Sequence, residues 1–155
     1  MYNQVKALLA HRWNEAPLIE TVPYPIRRAG ESIIRIEAAV ISHLDLTVLG
    51  GEFDIRPQLP YIGGVEGAGK VIESESFEVG TRVAARGGGI GLTRAGTWAE
   101  YVASPDSALR AVSDSLRPEI AATSFSPLTT AYIALHDIGR LVRTAEQYSS
   151  TLAAG

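Results

Sequence analysis

The stretch Ser-His-Leu-Asp at residues 42–45 places a hydroxyl, an imidazole and a carboxylate next to one another in the chain. A hydrolase triad uses the same groups, but they converge from separate segments, and neighbouring strand residues point to opposite faces. The sequence also lacks a Gly-x-Ser-x-Gly turn that would present a nucleophilic serine. The stretch therefore does not predict a hydrolase. A serine directly before a short helix is typical of an N-cap, and this interpretation of Ser42 stays open beside a chemical one.

Two glycine-rich stretches, at residues 63–69 and 86–96, could in principle hold phosphate. A dinucleotide-binding turn needs Gly-x-Gly-x-x-Gly between a strand and a helix, and neither stretch has that triple. A P-loop is excluded as well, because Val71 follows Lys70 where a serine or threonine is required. The glycines instead predict turns and places where two strands approach each other closely.

Composition narrows the possible functions. The chain has 155 residues, a net charge of −3 and no cysteine. The acidic balance argues against nucleic-acid binding, and the missing cysteines exclude disulfides, thiolate metal ligands and a cysteine nucleophile. We find neither a signal peptide nor an apolar run long enough to cross a membrane. We therefore expect a soluble, cytoplasmic protein.

The elements that would position these residues are mostly strands. Short runs rich in Val, Ile and Ala are separated by turn residues; the runs are VKALLA, SIIRIEAAVIS, GKVIES, TRVAA and WAEYVA. Ile34, Ile36 and Ala38 alternate with Arg35 and Glu37, which predicts a half-buried strand. Several short strands with Gly- and Pro-rich turns favour a barrel or sandwich.

After Ser113 the pattern becomes helical. Apolar residues recur at spacings of three and four; they are Ile120, Ala121, Phe125, Leu128, Ala131, Tyr132 and Leu135. Pro127 predicts a break into two helices, and residues 142–155, which are polar and weakly patterned, are expected to fray or be disordered. The sequence thus predicts a mainly β (α+β) chain, with a β domain over residues 1–112 and a helical segment over residues 113–155.

Four segments in order resemble a known family. They are SHLDLTVLGGEFDIRPQLPYIGGVEGAGKV, VGTRVAA, GTWAEYVASPDSALRAVSDSL and AATSFSPLTTAYIAL. Together they resemble the N-terminal, GroES-like half of the medium-chain dehydrogenases/reductases, in particular the zinc-free quinone oxidoreductase and enoyl reductase branch. The resemblance covers about residues 4–140 and implies a GroES-like, partly open β-barrel.

The zinc-dependent branch of that family supplies its metal ligands from positions that can be matched here. Ser42 occupies the position of the first thiolate, Val65 that of the histidine, and Ser126 lies near the position of the later cysteine, while Glu66 is retained. A catalytic zinc ion needs about three good N, S or O ligands and an open position. The resemblance therefore implies a chain that binds no zinc.

The same resemblance implies a catalytic cleft. It places Ser42, His43 and Asp45 at the cleft as candidate catalytic residues, with His43 as a possible proton donor. Each has a structural alternative, because Ser42 could cap a helix, His43 could be an exposed polar residue, and Asp45 could hold a turn.

Further residues are assigned by resemblance alone. Glu66 and Trp98 would lie at the substrate cleft, and Thr130 and Tyr132 would contact the cofactor, NADPH, from the helix that leads to the nucleotide domain. Glu66 could equally be a structural hydrogen-bond acceptor, and Trp98 a core aromatic residue.

Two functions remain open at this point. In relatives the nucleotide domain would begin just after Leu141, whereas residues 142–155 show neither an apolar strand nor a glycine turn. The chain could be a truncated or partial quinone or enone reductase, with a small-molecule substrate and inactive alone. It could also be a free-standing GroES-like module for ligand binding or assembly. An exposed cleft face or helical segment around residues 128–135 would favour a homodimer.

Overall fold

A computed structural model describes residues 4–140 of the chain. The expectation for residues 142–155 falls outside that range. Within the described range the strands are β1 (Gln4–Ala10), β2 (Leu18–Pro23), β3 (Glu31–Ala39), β4 (Tyr61–Ile62), β5 (Glu66–Glu73), β6 (Arg82–Arg86), β7 (Tyr101–Pro105) and β8 (Leu109–Ala111). The helices are α1 (His43–Leu49), α2 (Pro118–Ala122) and α3 (Ser126–Tyr132), with a π-helical segment at Ile133–Ile138 and a 3₁₀ turn at Asp106–Ala108.

The strands form two antiparallel sheets. One has three strands in the order β2-β1-β4, and the other has five in the order β7-β3-β5-β6-β8. The predicted mainly β fold with a C-terminal helical segment is confirmed. The sequence pattern did not reveal β2, β4 and β8, because two of them are only two or three residues long and β2 contains a glutamate and a proline.

The predicted strand WAEYVA serves both sheets. Its first part pairs with β1, since the backbone N–H of Leu8 donates to the carbonyl of Trp98 and that of Glu100 donates to the carbonyl of Lys6. Its second part is β7, which pairs with β3 through Arg35 and Tyr101. One continuous segment therefore holds the two sheets together.

The half-buried alternation predicted in β3 holds only for its second part. Residues 34–39 alternate between more and less exposed, whereas residues 31–34 are all buried. Glu31 and Ile33 depart from the alternation, because both are buried although they share a face with Arg35 and Glu37. Ser32, on the inner face with Ile34, is buried with its hydroxyl hydrogen-bonded to Asp106.

Three apolar clusters fill the fold. The largest lies on the five-stranded sheet and includes Ile34, Val71, Val83, Val102 and Leu109. A second packs α1 against the smaller sheet through Val48, Tyr61 and Trp13, among others. The third packs α2 on β5 through Ala68, Ala121 and Ala122.

The chain divides into two compact units, one ending at Phe125 and one starting at Ser126. The first unit thus extends beyond residue 112, where the sequence pattern changes from strand to helix. Ala121 and Ala122 explain the difference, because both are buried and pack against Ala68 of the sheet.

Two helices occupy the region where Pro127 predicted a break. The break itself is a turn at residues 123–125, and Pro127 lies in the first turn of α3, where a proline is tolerated because its missing N–H is not needed. In the second unit the predicted helical spacing is present, and its apolar residues Leu128, Tyr132 and Leu135 are all exposed. None of the helices within residues 4–140 has the length and apolarity required to cross a bilayer.

Candidate active site at one end of the five-stranded sheet

Strand register brings polar residues from three segments to one end of the larger sheet. Glu66 begins β5 and lies opposite Arg86, the last residue of β6. The carbonyl of Glu66 also accepts the backbone N–H of Val40, which directly follows β3 and leads to Ser42. We call this group of Val40, Ser42, Glu66 and Arg86 the cleft end.

Ser42 is the N-cap of α1. Its hydroxyl accepts the backbone N–H of Asp45 at 3.3 Å and donates to Asp45 Oδ2 at 2.6 Å, and Asp45 Oδ2 also accepts the backbone N–H of Ser42 at 2.8 Å. These bonds form a capping box, so the structural interpretation of Ser42 is confirmed. The Ser42 hydroxyl is engaged and is not presented as a free nucleophile.

Asp45 ties α1 to the glycine-rich turn. The residue is only 3% exposed, and its second oxygen, Oδ1, accepts the backbone N–H of Val65 at 2.9 Å. Both carboxylate oxygens therefore have protein donors. Asp45 holds the turn, as its structural alternative predicts. Burial raises the pKa of nearby Tyr61, and the Asp45 carboxylate raises it further.

At the turn of residues 63–65 the backbone lies close to the indole ring of Trp98. A Cβ atom on Gly63 would lie 2.8 Å from the indole ring, and one on Gly64, which has φ +95°, would lie 2.6 Å from it. The indole Nε1–H donates to the carbonyl of Val40 at 3.0 Å. The predicted role of these glycines in close packing is confirmed, and Trp98 lies beside the cleft end.

His43 is the first residue of α1 and is exposed. Within residues 4–140 its imidazole has neither a hydrogen bond nor an ion pair. The ring is therefore accessible to a substrate, but no neighbouring carboxylate orients it. Its role as a proton donor stays a prediction.

Glu66 is a buried carboxylate, 1% exposed. Its Oε1 accepts the backbone N–H of Phe125 at 2.9 Å, and its Oε2 lies 3.9 Å from Nε of Arg86. The first contact fixes the chain just before the second compact unit begins. The structural alternative for Glu66, a hydrogen-bond acceptor, is therefore confirmed.

Sequence analysis missed Arg86. Its side chain is 42% exposed, and within residues 4–140 the 3.9 Å contact to Glu66 is its one polar contact. That distance is too long for a hydrogen bond, so the guanidinium N–H groups are available. The signal in the sequence is its place between the strand TRVAA and the glycine cluster, but only the register shows that it faces Glu66.

The two candidate cofactor residues lie in the second unit. Thr130 and Tyr132 are exposed on α3, and the Tyr132 ring lies 4.5 Å from the imidazole of His136. Their cofactor role stays a prediction. Among the described residues both glycine stretches lie in turns or strands of antiparallel sheets, without the strand–turn–helix unit that holds a pyrophosphate.

The donors at the cleft end do not fit a catalytic zinc ion. The described part of the chain has no group of three His, Asp or Glu side chains that could ligate a metal. Ser42 and Asp45 are bonded to each other, and Val65 carries no ligand atom. One buried carboxylate, Glu66, is short of the three ligands that such a site requires.

The comparisons with known proteins agree on one family. Residues 28–114 match the family described as the alcohol dehydrogenase GroES-like domain. A zinc-type alcohol dehydrogenase-like protein of Schizosaccharomyces pombe is 40% identical over 118 residues, which are 76% of this chain and 36% of that protein. The chain thus spans about a third of the length of this curated relative.

Solved structures agree on the fold. The human synaptic vesicle membrane protein VAT-1 homolog-like protein superposes with a TM-score of 0.74 and 26% identity, over 89% of this chain and 45% of that one. The quinone oxidoreductase of Coxiella burnetii has a TM-score of 0.75 at 21% identity, over 86% of this chain and 45% of that one, which shows the fold alone. The GroES-like fold implied by the sequence motifs is confirmed. The chain belongs to the alcohol dehydrogenase GroES-like domain family of the medium-chain dehydrogenase/reductase superfamily.

Proposed function

We propose that this chain is the substrate-binding domain of a zinc-independent, NAD(P)H-dependent oxidoreductase that reduces quinones or enones. The observation that carries this proposal is the closed network of Ser42, Asp45 and the Val65 backbone. These are the positions from which zinc-dependent relatives supply or neighbour metal ligands, and here they bond to one another.

A zinc ion would gain little binding free energy beside Ser42 and Asp45. Both oxygens of Asp45 already accept hydrogen bonds, so a zinc ion there would compete with them, and loss of the buried bond from Val65 N–H would cost about 1–3 kcal/mol. A hydroxyl such as that of Ser42 is a poor replacement for thiolate, and no imidazole is present at position 65. Zinc independence is therefore the expectation that fits the donor set.

The nicotinamide cofactor would supply hydride when bound. The described residues offer no dinucleotide cradle, so we place the nucleotide outside residues 4–140, with NADPH as the cofactor that the family resemblance favours. The β domain contributes a binding surface at the cleft end, next to His43 and Trp98. On this proposal the 155-residue chain alone reduces nothing.

Zinc competition against a chromophoric chelator tests this proposal. We expect the purified chain to take up no stoichiometric zinc. The double variant Ser42→Cys/Val65→His restores a thiolate and an imidazole beside Glu66, and we expect it to gain one zinc per chain. The single variant Ser42→Cys is the matched control, since it adds the thiolate without the imidazole and should bind far more weakly.

Either of two results would contradict the proposal. One is the uptake of one tightly held zinc ion by the unaltered chain. The other is saturable NADPH binding by the unaltered chain, which would place a cofactor site within it. A gain of zinc binding in the double variant alone would show that the metal geometry persists and that only the ligands have changed.

A further inference from the structure

We infer that Arg86 binds and polarises the carbonyl oxygen of the substrate at the cleft end. This inference rests on the proposed function and adds the residue that would hold the substrate, a guanidinium group that faces the oxygen of the quinone or enone.

The position of Arg86 is fixed by the register of two strands. It lies opposite Glu66 at the end of β6, and its Nε is 3.9 Å from Glu66 Oε2. The Glu66 carboxylate is 1% exposed, and its other oxygen accepts the backbone N–H of Phe125. Its position beside the guanidinium is therefore fixed. Arg86 is therefore oriented by a buried partner, while 42% of its side chain faces solvent.

The guanidinium N–H groups of Arg86 donate no hydrogen bond within the described fold. A guanidinium has five N–H groups, and within residues 4–140 none of those of Arg86 makes a hydrogen bond. Arg82 on the same strand differs, because its guanidinium donates to Glu37, Asp114 and Leu116 and is only 12% exposed. Of these two arginines on β6, Arg86 alone is available for a ligand.

The backbone after Arg86 leaves space for a ligand. Gly87 has φ +91°, and a Cβ atom placed on it would meet no atom within 4 Å. A planar ring beside Arg86 would therefore meet no side chain from the next residue.

The proposed reaction needs a hydrogen-bond donor that faces the carbonyl oxygen of the substrate. When an enone accepts a hydride equivalent at its β-carbon, the π electron pair moves to the carbonyl oxygen as an enolate, and a proton from water then adds at the α-carbon to give the saturated ketone. In a quinone the negative charge likewise develops on a carbonyl oxygen, and the hydroquinone product carries its protons on the two oxygens. Fixed donors aimed at that developing charge lower the barrier, a task that a metal ion performs in metal-dependent enzymes. Among the four residues that define the cleft end, Arg86 carries the positive charge that could take this role.

Para-nitrophenol is a suitable probe, because its ionised form mimics the charged oxygen and absorbs visible light. A phenol held by Arg86 should ionise at lower pH than in water, since a positive charge within contact distance favours the phenolate. We expect the pKa of the bound phenol to fall by about one unit. The shift should disappear in Arg86→Ala and shrink in Arg86→Lys, which keeps the charge but loses the planar fork.

Arg110→Ala is the matched control. Arg110 lies on the neighbouring strand β8, is exposed, and donates to the carbonyls of Ser107 and Leu109. Its removal makes the same change in net charge and should leave the phenol shift intact. Circular dichroism of each variant checks that the fold is retained.

The neutral analogue para-nitroanisole separates two kinds of failure. If neither nitroaromatic binds the chain, the proposed substrate site is wrong and the inference is overturned with it. If both bind but the phenol ionises as in water, or if its shift survives in Arg86→Ala, the role of Arg86 is wrong while the substrate site stands.

Discussion

The two ends of the five-stranded sheet carry similar residues and differ in what those residues leave unused. At the end opposite the cleft end, which we call the hairpin end, Asp106 accepts the hydroxyls of Ser32 and Ser76 at 2.5 Å each. Ser74 completes the group by contacting the Ser32 hydroxyl at 2.7 Å and accepting two backbone N–H groups. At the cleft end Ser42 and Asp45 form an equally closed network.

The difference lies in how the neighbouring arginine is used. Arg27, which lies near Asp106 at the hairpin end, donates to Glu75 and to the carbonyl of Glu31. Arg86 at the cleft end is 42% exposed, and its guanidinium makes no hydrogen bond within residues 4–140. Serine and aspartate are therefore structural at both ends. In this chain a candidate site is therefore marked by hydrogen-bond donors that the described fold leaves unused, and not by Ser, His and Asp lying close together in the sequence.

The largest expected effect concerns two glycines with nearly the same positive φ angle. Gly64 at the cleft end and Gly80 near the hairpin end have φ +95° and +91°. Either alanine variant carries about 1–2 kcal/mol of left-handed strain. Gly64→Ala also forces Cβ to within 2.6 Å of Trp98, which adds about 1–3 kcal/mol, whereas Gly80→Ala meets nothing within 4 Å. Urea unfolding should show Gly64→Ala to be the more destabilised by about 2 kcal/mol.

Equal losses of stability in the two glycine variants would show that the turn can move away from Trp98. In that case the close approach would not fix the position of Val65 and Glu66.

A smaller effect is expected from removing the two aspartates. Asp45→Ala leaves the buried Val65 N–H without its acceptor and breaks the capping box, so we expect a loss of about 2–3 kcal/mol. Asp106→Ala should cost about 1 kcal/mol, because Ser32 keeps Ser74 as a partner and Ser76 is exposed to water. Both variants remove one negative charge, so each controls for the other in chemical denaturation. A reversed order would mean that the hairpin network, and not the cleft network, anchors the sheet.

Much of the fold followed from local patterns. Short runs rich in Val, Ile and Ala predicted β1, β3, β5, β6 and β7, and the helical spacing after Ser113 predicted α2 and α3. The serine before α1 and the glycines beside Trp98 also have the structural roles that residue type suggests.

The candidate site was harder to predict, because strand pairing and not sequence distance creates it. Glu66 and Arg86 meet only through the register of β5 and β6, and Glu66 meets Phe125 only after α2 has packed on the sheet. An arginine next to three glycines looks like part of a surface turn in the sequence. No local pattern shows that a buried carboxylate lies opposite it.

Backbone amide NMR with cyclohexenone would show whether the cleft end binds a carbonyl compound. The chain has no cysteine thiol that could add to the enone, so reversible binding can be observed. We predict that the shifted amides are those of Val65, Glu66, Arg86 and Gly87, with Ser74 and Ser76 unchanged. An enone that moves no amide, or moves only those of the hairpin end, would contradict the assignment of the cleft end as a carbonyl-binding site.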